Sequence, residues 1–374
     1  SGETVFSSID LINKEFFGEN DKLYVNPTDY LIRHNLKSEN LKKIVSKFES
    51  INTCIIGDLI VDEYITCEPL GLSQEEPSIV VTPIDSREFI GGSGIVAAHA
   101  SGLGSNSTII AVCGGDSKKN FIEKELEENN VNSYLFIDEN RPTTLKQRFR
   151  SEGKSLLRVN HLHQDYISKK LQNEIYLKFK EIANKIDLLI FSDFNYGCLP
   201  IELINKLISI CKENEIVTAA DCQSSSQYGD ITKYKNIDLI CPTEREARVS
   251  LKNFEDGLGV ILDELRISSK PQNIILKLGA EGILVQSPEE IANSENKNGN
   301  ETWIVDRLPA LNLFPKDVAG AGDSLLIASA LSLTAGSNIW ESAVLGSISA
   351  SIQVSRIGNI PLKVEEFINS INKI

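Results

Sequence analysis

From residue 53 onward, near-continuous apolar runs alternate with helix-length segments, and this alternation limits the fold more than any other feature. The runs TCIIG (53–57), STIIAVCG (107–114), IDLLIFSD (186–193), IVTAAD (216–221), IDLICP (237–242) and NIILKLG (273–279) read as strands covered on both faces. Helices are expected between them over 93–103, 117–129, 168–184, 200–214 and 243–268. The pattern predicts an α/β fold, a doubly wound and mostly parallel sheet with right-handed crossovers. Ligands of such sheets bind at the carboxyl ends of the strands, where Asp58, Asp193 and Asp221 stand.

Two segments break the alternation. Residues 60–90 and 143–160 carry short alternating strands, among them PSIVVTPI and TLKQRFR-SEGK-SLLRVN, the latter joined by a polar turn. They predict a small β-sheet that projects from the main sheet as a lid. SPEEIANSENKNGNET (287–302) reads as a polar loop. Residues 1–50, rich in Lys, Asn and Glu, read as an extension, a linker or the tail of another unit, which leaves 51–374 for the main domain.

Composition removes several classes of function. The net charge is −14 with no basic cluster along the 374 residues, which argues against nucleic acid or an anionic membrane as partner. No apolar run is long enough to cross a bilayer. The seven cysteines are odd in number, widely spaced and without a CxxC pair, as suits reduced, buried thiols in a cytoplasmic protein. His161 and His163 share one face of a strand, but without further His or Cys nearby they read as surface residues rather than metal ligands. The chain has no methionine, even at position 1, so the native start is expected upstream.

One stretch carries chemistry. In DVAGAGDSLLIASALSLTAG (317–336), Gly320-Ala321-Gly322 suits a sharp turn, and Ser324 to Ala335 suits a buried helix ended by Gly336. Unpaired N–H groups at a helix start attract anions, and side chains cut to hydrogen or methyl let a phosphate approach them. Asp323 then stands where a general base would stand. The same residues also fit a plain helix cap behind a tight turn.

Further motifs accompany it in order. GDLIVDEY (57–64), FIGGSGIVAAHASGLG (89–104), CPTEREA (241–247), KLGAEG (277–282) and DVAGAGD (317–323) together resemble the ribokinase-like (PfkB-type) carbohydrate kinases over about residues 52–362. GDLIVDEY, GLSQEEPSIVV and PTTLKQRFRSEGKSLLRVN are most similar to the heptose-phosphate kinases of lipopolysaccharide precursor synthesis. The resemblance implies Asp323 as the base that takes a proton from a sugar hydroxyl, with Gly320, Ala321 and Gly322 forming the anion hole. It implies Lys277, Gly279, Gly282, Thr243 and Ser347 beside ATP, and Glu246 organising Mg²⁺ through water, with room for a monovalent cation. Asp58, Asp62, Gly91, Gly92 and Asp193 would face the sugar, and Arg148 and Arg158 on the lid would meet a phosphate that it already carries.

Each of these also has an ordinary structural use. Asp58 can end a strand, Glu246 can be a solvated helix carboxylate, Gly279 and Gly282 can make a hairpin, and the arginines can be a charged strand face. The chain departs from the family pattern as well. Ile95 and Thr243 replace asparagines, Tyr196 replaces a lysine, and Cys222-Gln223 stands where the nearest relatives have Pro-Lys. These departures keep two alternatives open, a kinase of a nucleoside or small alcohol, and a non-catalytic ligand-binding module. TVFSSIDLINK (4–14) is similar to the closing segment of nucleotidyltransferase domains, so a fusion to such a domain is expected. The lid edges suit pairing with a second copy into a homodimer.

Overall fold

The computed structural model describes residues 25–223, 229–288 and 303–374. The nucleotidyltransferase-like stretch 4–14 and most of the polar loop 287–302 lie outside the described residues.

A main sheet of nine strands runs in the order β12-β11-β10-β9-β8-β7-β1-β3-β4. Its members are β1 (Asn52–Leu72), β3 (Asn106–Cys113), β4 (Asn132–Ile137), β7 (Leu188–Asp193), β8 (Val217–Cys222), β9 (Leu239–Ile240), β10 (Asn273–Lys277), β11 (Ile283–Pro288) and β12 (Trp303–Leu308). Pairing is parallel from β4 to β10 and antiparallel for β10–β11 and β11–β12. Strands β4, β11 and β12 were not among the expected runs, because β4 and β12 are half wet at the sheet's margins and β11, though buried, carries Gln286 and Ser287 and so lacks a continuous apolar signal.

Helices cover both faces, as the buried strands require. One core lies under α3 (Ser93–Gly102), α4 (Lys118–Glu128), α9 (Ala321–Thr334), α10 (Ile339–Val354) and α11 (Val364–Ile371). The other lies under α5 (Lys169–Ile182), α6 (Ile201–Glu213), α7 (Glu244–Leu251) and α8 (Leu258–Ser269). The single helix expected over 243–268 is therefore two. Lys252 adopts a left-handed conformation at the end of α7, and the polar stretch before Gly257 makes the turn into α8.

The lid is built as expected but joined differently. Strand β1 is one continuous element of 21 residues that serves both sheets. Residues 52–58 lie between β3 and β7, and from Leu59 onward β1 pairs with β2 (Ile79–Gly92) and β5 (Thr144–Ser151). Strand β6 (Lys154–His161) completes a lid in the order β2-β1-β5-β6. Gly57 sits where the strand leaves the main sheet, and a Cβ there would fall 1.9 Å from the Ser192 carbonyl oxygen. Only glycine allows that approach.

Residues 25–50 are not a loose linker. Helices α1 (Thr28–Arg33) and α2 (Ser38–Val45) pack on the first core. Leu41, Ile44 and Val45 follow helical spacing on the buried face of α2 while Lys42 and Lys43 point away. Burying Leu41, Ile44 and Phe48 contributes roughly 2 kcal/mol each. The fold thus begins before the boundary at 51. Polar and charged residues dominate this stretch, so its well-spaced apolar residues are easily overlooked.

Candidate active site

A cavity of ≈ 680 Å³ separates the lid from the carboxyl ends of the strands. Its floor is the start of α9. Gly320 takes a positive φ of 73°, Ala321 opens the helix, and Asp323 follows in the first turn. A Cβ on Gly320 would stand 2.7 Å from Asn359 Oδ1, and one on Gly322 would stand 3.0 Å from Lys277 Nζ. A side chain at either glycine would therefore have to displace Asn359 or the Lys277 ammonium. Asp323 is only 6% exposed. Burial, with the nearby Asp221 carboxylate, pushes its pKa up to about 7, against the opposing pull of Lys277 and Lys146.

Beside the floor, Lys277 at the end of β10 is ion-paired with Asp221 at the end of β8. Burial would lower the ammonium's pKa, but Asp221 and Glu246 outweigh it and hold Lys277 above its usual value. Asp221 is pushed up to about 6 by burial, which outweighs the pull of Lys277. Its Oδ1 is buried without a hydrogen-bond partner among the described residues. Thr243 caps α7 in a reciprocal arrangement with Glu246, its Oγ1 accepting from the Glu246 N–H at 3.2 Å and its N–H donating to Glu246 Oε2 at 2.7 Å. Both line the cavity. Gly279 and Gly282, with φ of 63° and 93°, turn the chain between β10 and β11 at the same wall. Ser347 of α10 lines it from the opposite side, and Ile283, Leu311, Leu313 and Val354 make this end apolar.

The lid supplies positive charge. Lys146, Arg148 and Arg150 alternate along β5, so one face of the strand carries all three into the cavity. Arg158 on β6 stands directly opposite Arg148. Like charges opposed across strands are destabilising unless an anion joins them. Arg148 lies 3.4 Å from Asp62 Oδ1, and Asn359 Nδ2 donates to Asp62 Oδ2 at 3.0 Å. Arg150 lies 4.0 Å from Asp317, whose carboxylate also accepts from Tyr64 Oη at 2.9 Å and the Gly358 N–H at 3.1 Å. Lys146 makes no carboxylate ion pair among the described residues, its ammonium resting 4.5 Å from the Phe194 ring centre and 5.1 Å from that of Tyr196.

Most of the residues singled out from the sequence converge on this cavity, namely Asp323 with its turn, Lys277, Glu246, Thr243, Gly279, Gly282, Ser347, Asp62, Gly92, Arg148 and Arg158. Gly91 lies just behind, where a Cβ would stand 2.4 Å from Asp62 Oδ2. Two carboxylates go elsewhere. Asp58 accepts the N–H groups of Phe194, Tyr196 and Cys198 at 2.8 to 3.1 Å, so it holds the loop after β7 and has no oxygen turned to a sugar. Asp193 is buried against Lys233 and accepts from Tyr234 Oη at 2.7 Å. Both sit one layer beneath the cavity because three N–H groups or a buried lysine satisfy a carboxylate better than an open cleft does.

The departures find places too. Ile95 is fully buried in the first core and is not part of the cavity wall. Tyr196 lies beneath Lys146, and Gln223 lines the cavity. His161 and His163 pair with Gln147 and Asp165, and no cluster of metal-ligating side chains occurs among the described residues. All seven cysteines are buried and unpaired. No described helix is long and apolar enough to cross a membrane.

Sequence reasoning missed Lys146, Arg150, Asn359 and Asp317. The first two were legible as the period-two pattern of KQRFR on a lid strand. The other two were not, because Asn359 reaches Asp62 across 297 residues of chain.

Comparison with known proteins bears on the family and the fold. The chain is similar to Bifunctional protein HldE of Desulfatibacillum aliphaticivorans, 29% identical over 329 residues that cover 86% of this chain and 64% of that protein. It is similar to Bifunctional protein HldE of Campylobacter jejuni subsp. jejuni at 27% identity, again over 86% of this chain and 64% of the relative. The chain thus spans just under two thirds of the length of these relatives. Its fold matches phosphofructokinase-2 from Escherichia coli in complex with fructose-6-phosphate, with a TM-score of 0.65 at 17% identity, covering 86% of this chain and 98% of that one. It also matches ribokinase from Thermotoga maritima, with a TM-score of 0.62 at 17% identity, covering 87% of this chain and 100% of that one. Residues 51–365 match the pfkB family carbohydrate kinases as a whole, and the chain belongs to that family.

Proposed function

We propose that this chain transfers the γ-phosphoryl group of ATP to a hydroxyl of a sugar phosphate, with Asp323 as general base. The observation that carries this reading is Asp323 itself, a buried carboxylate behind a glycine turn at the start of a 14-residue helix. A buried acid raised to about 7 is matched to proton abstraction near neutral pH.

The residues present fit the nucleotide and its metal. Gly320 and Gly322 leave the helix N–H groups open to a phosphate, and Lys277 borders the same space. The apolar end at Ile283, Leu311 and Val354 suits a flat base. Glu246 is the carboxylate placed to hold magnesium through water, which is enough for an ion that keeps most of its hydration. When bound, Mg-ATP supplies the phosphoryl group and much of the charge that balances it. Asp62, steadied by Asn359, accepts hydrogen bonds from the acceptor's hydroxyls. Asp323 takes the proton of the attacking hydroxyl, while the N–H groups of the turn and Lys277 offset the charge developing on phosphoryl oxygens.

Arg148 and Arg158 hold the phosphate that the acceptor already carries. Their cross-strand opposition favours an acceptor with its own anion over a nucleoside or small alcohol. The heptose-phosphate likeness of the sequence, together with the similarity to HldE proteins, supports a heptose-phosphate-like acceptor for cell-surface polysaccharide. The seven buried thiols suit a cytoplasmic setting. Self-association through the lid belongs to the same reading, since Ile79, Ile84 and Leu157 are exposed on its edge strands; a monomer mass by light scattering removes it.

The test is acceptor-dependent ADP release with Mg-ATP across sugars and sugar phosphates, run beside Asp323→Asn. Turnover confined to phosphorylated acceptors and lost in the variant supports the reading. Turnover that survives Asp323→Asn overturns the assignment of the base.

A further inference from the structure

One group of contacts serves neither the acceptor nor the base. Residues 25–34 precede the matched family region, which begins at 51, yet they contact Leu311 in the cavity's apolar wall, Asp306 on β12 and Trp340 at the start of α10. The Val25 N–H donates to the Leu311 carbonyl at 2.9 Å, and Leu311 is part of the apolar wall. Arg33 makes a bidentate pair with Asp306 on β12, at 2.9 Å through both Nε and Nη2. His34 Nε2 reaches the same carboxylate at 2.7 Å, and its ring stacks on Trp340 near the start of α10 at 4.1 Å and 12°. Strand β12 leads directly into the 309–315 loop, and α10 carries Ser347 and Val354 on the opposite wall.

We infer that residues 25–34 form a strap that holds β12, the 309–315 loop and the start of α10 together, and so positions the wall against which the nucleotide base packs. The inference rests on the proposed reading in placing the nucleotide at this end. On its inner side the loop is already tied to α10 by Asn312, whose Nδ2 donates to the Ser351 carbonyl at 3.1 Å, and by the Lys316 N–H to Val354 O at 2.7 Å. The strap adds the outer anchors. A loop fixed from one side opens by local fluctuation, and each outer anchor lowers the population of open forms. Strap residues touch no reacting atom, so they are positioning residues.

Their effect falls on one substrate only. Arg148 and Arg158, the lid residues that meet the acceptor, make no contact with residues 25–34 in the hydrogen bonds, ion pairs or ring stacks described above.

The experiment compares the full chain with the double variant Arg33→Ala/His34→Ala. Lys47→Ala serves as a control, since Lys47 ties the same N-terminal region to the Ala335 carbonyl and makes no bond to β12 or the 309–315 loop among the described residues. In the ligand-free proteins, amide exchange of residues 309–313 is expected to quicken at least tenfold in the double variant, with 144–160 unchanged. Calorimetry with ADP and magnesium is expected to show five- to tenfold weaker binding in the double variant, with the acceptor KM within twofold of wild type. Lys47→Ala should move neither readout. Exchange at 309–313 that matches wild type, or ADP affinity unchanged despite faster exchange, overturns the strap. Equal weakening of ADP and acceptor also overturns it, since that reports general loosening. A wild-type chain that binds no ADP overturns the nucleotide reading, and the exchange comparison then judges the strap by itself.

Discussion

Asp323→Asn should abolish catalysis and at the same time stabilise the ligand-free protein above neutral pH. The Asp323 carboxyl has a pKa of about 7 in the folded chain and an ordinary value of 3.8 when solvated. The folded state therefore binds this proton more tightly than the unfolded state. Stability contributed by the group is complete below 3.8 and is lost as pH rises toward 7, where ionisation in the buried site becomes unavoidable. At ~1.4 kcal/mol per pKa unit, that interval sets a ceiling of ~4 kcal/mol, which local relaxation reduces to ~2 kcal/mol in practice. Asparagine keeps the shape without the charge, and it also relieves the repulsion between positions 221 and 323. Urea unfolding at pH 8 should thus show Asp323→Asn more stable by ~2 kcal/mol, a gain shrinking to less than half at pH 5. Acceptor-dependent ADP release should fall by a factor of ~10² to 10⁴. A variant no more stable than wild type at pH 8, or a difference that does not grow with pH, refutes the account of the buried charge. Activity within tenfold of wild type refutes the account of the base.

The remaining predictions use other parts of the site. For the wild type, kcat/KM should rise with pH through an apparent pKa near 7 and level off above it, because only ionised Asp323 accepts the proton; a profile flat from pH 5.5 to 8.5 contradicts this. Lys277→Met leaves Asp221 buried without its partner and should cost ~3 kcal/mol of stability, read by chemical denaturation. Gly320→Ala forces a side chain onto a left-handed residue and against Asn359, so both stability and kcat should drop, stability by ~1–2 kcal/mol. Arg158→Gln should raise the KM of a phosphorylated acceptor at least tenfold while leaving the KM of ATP alone, measured by coupled ADP release.

Much of the architecture was legible along the chain because each central strand is buried on both faces. Six apolar runs stand in the sheet interior, and Gly336 ends α9 with a φ of 88°, as glycine after a helix should. The margins were harder. Strands β4 and β12 are half wet, β11 has polar residues in its buried run, and α1 and α2 contribute few apolar residues each, so their local signals are weak although their packing is firm. Helix 243–268 broke at Lys252, a residue whose left-handed backbone no composition rule foretells.

For the site, the division follows from how each residue is held. Asp323, Lys277, Glu246 and the glycine turns were readable because helix starts and strand ends dictate what neighbours in sequence can do. By itself the sequence determined an α/β sheet with a lid, a phosphate-sized turn and a carboxylate behind it. Which carboxylates serve the cavity was decided only by tertiary structure. Asp58 and Asp62 are four residues apart on one strand, yet Asp58 is claimed by three N–H groups from the loop after β7, while Asp62 meets Arg148 and Asn359 at the cavity wall. A carboxylate's role depends on which donors reach it first, and those donors come from segments more than 80 residues away in the chain.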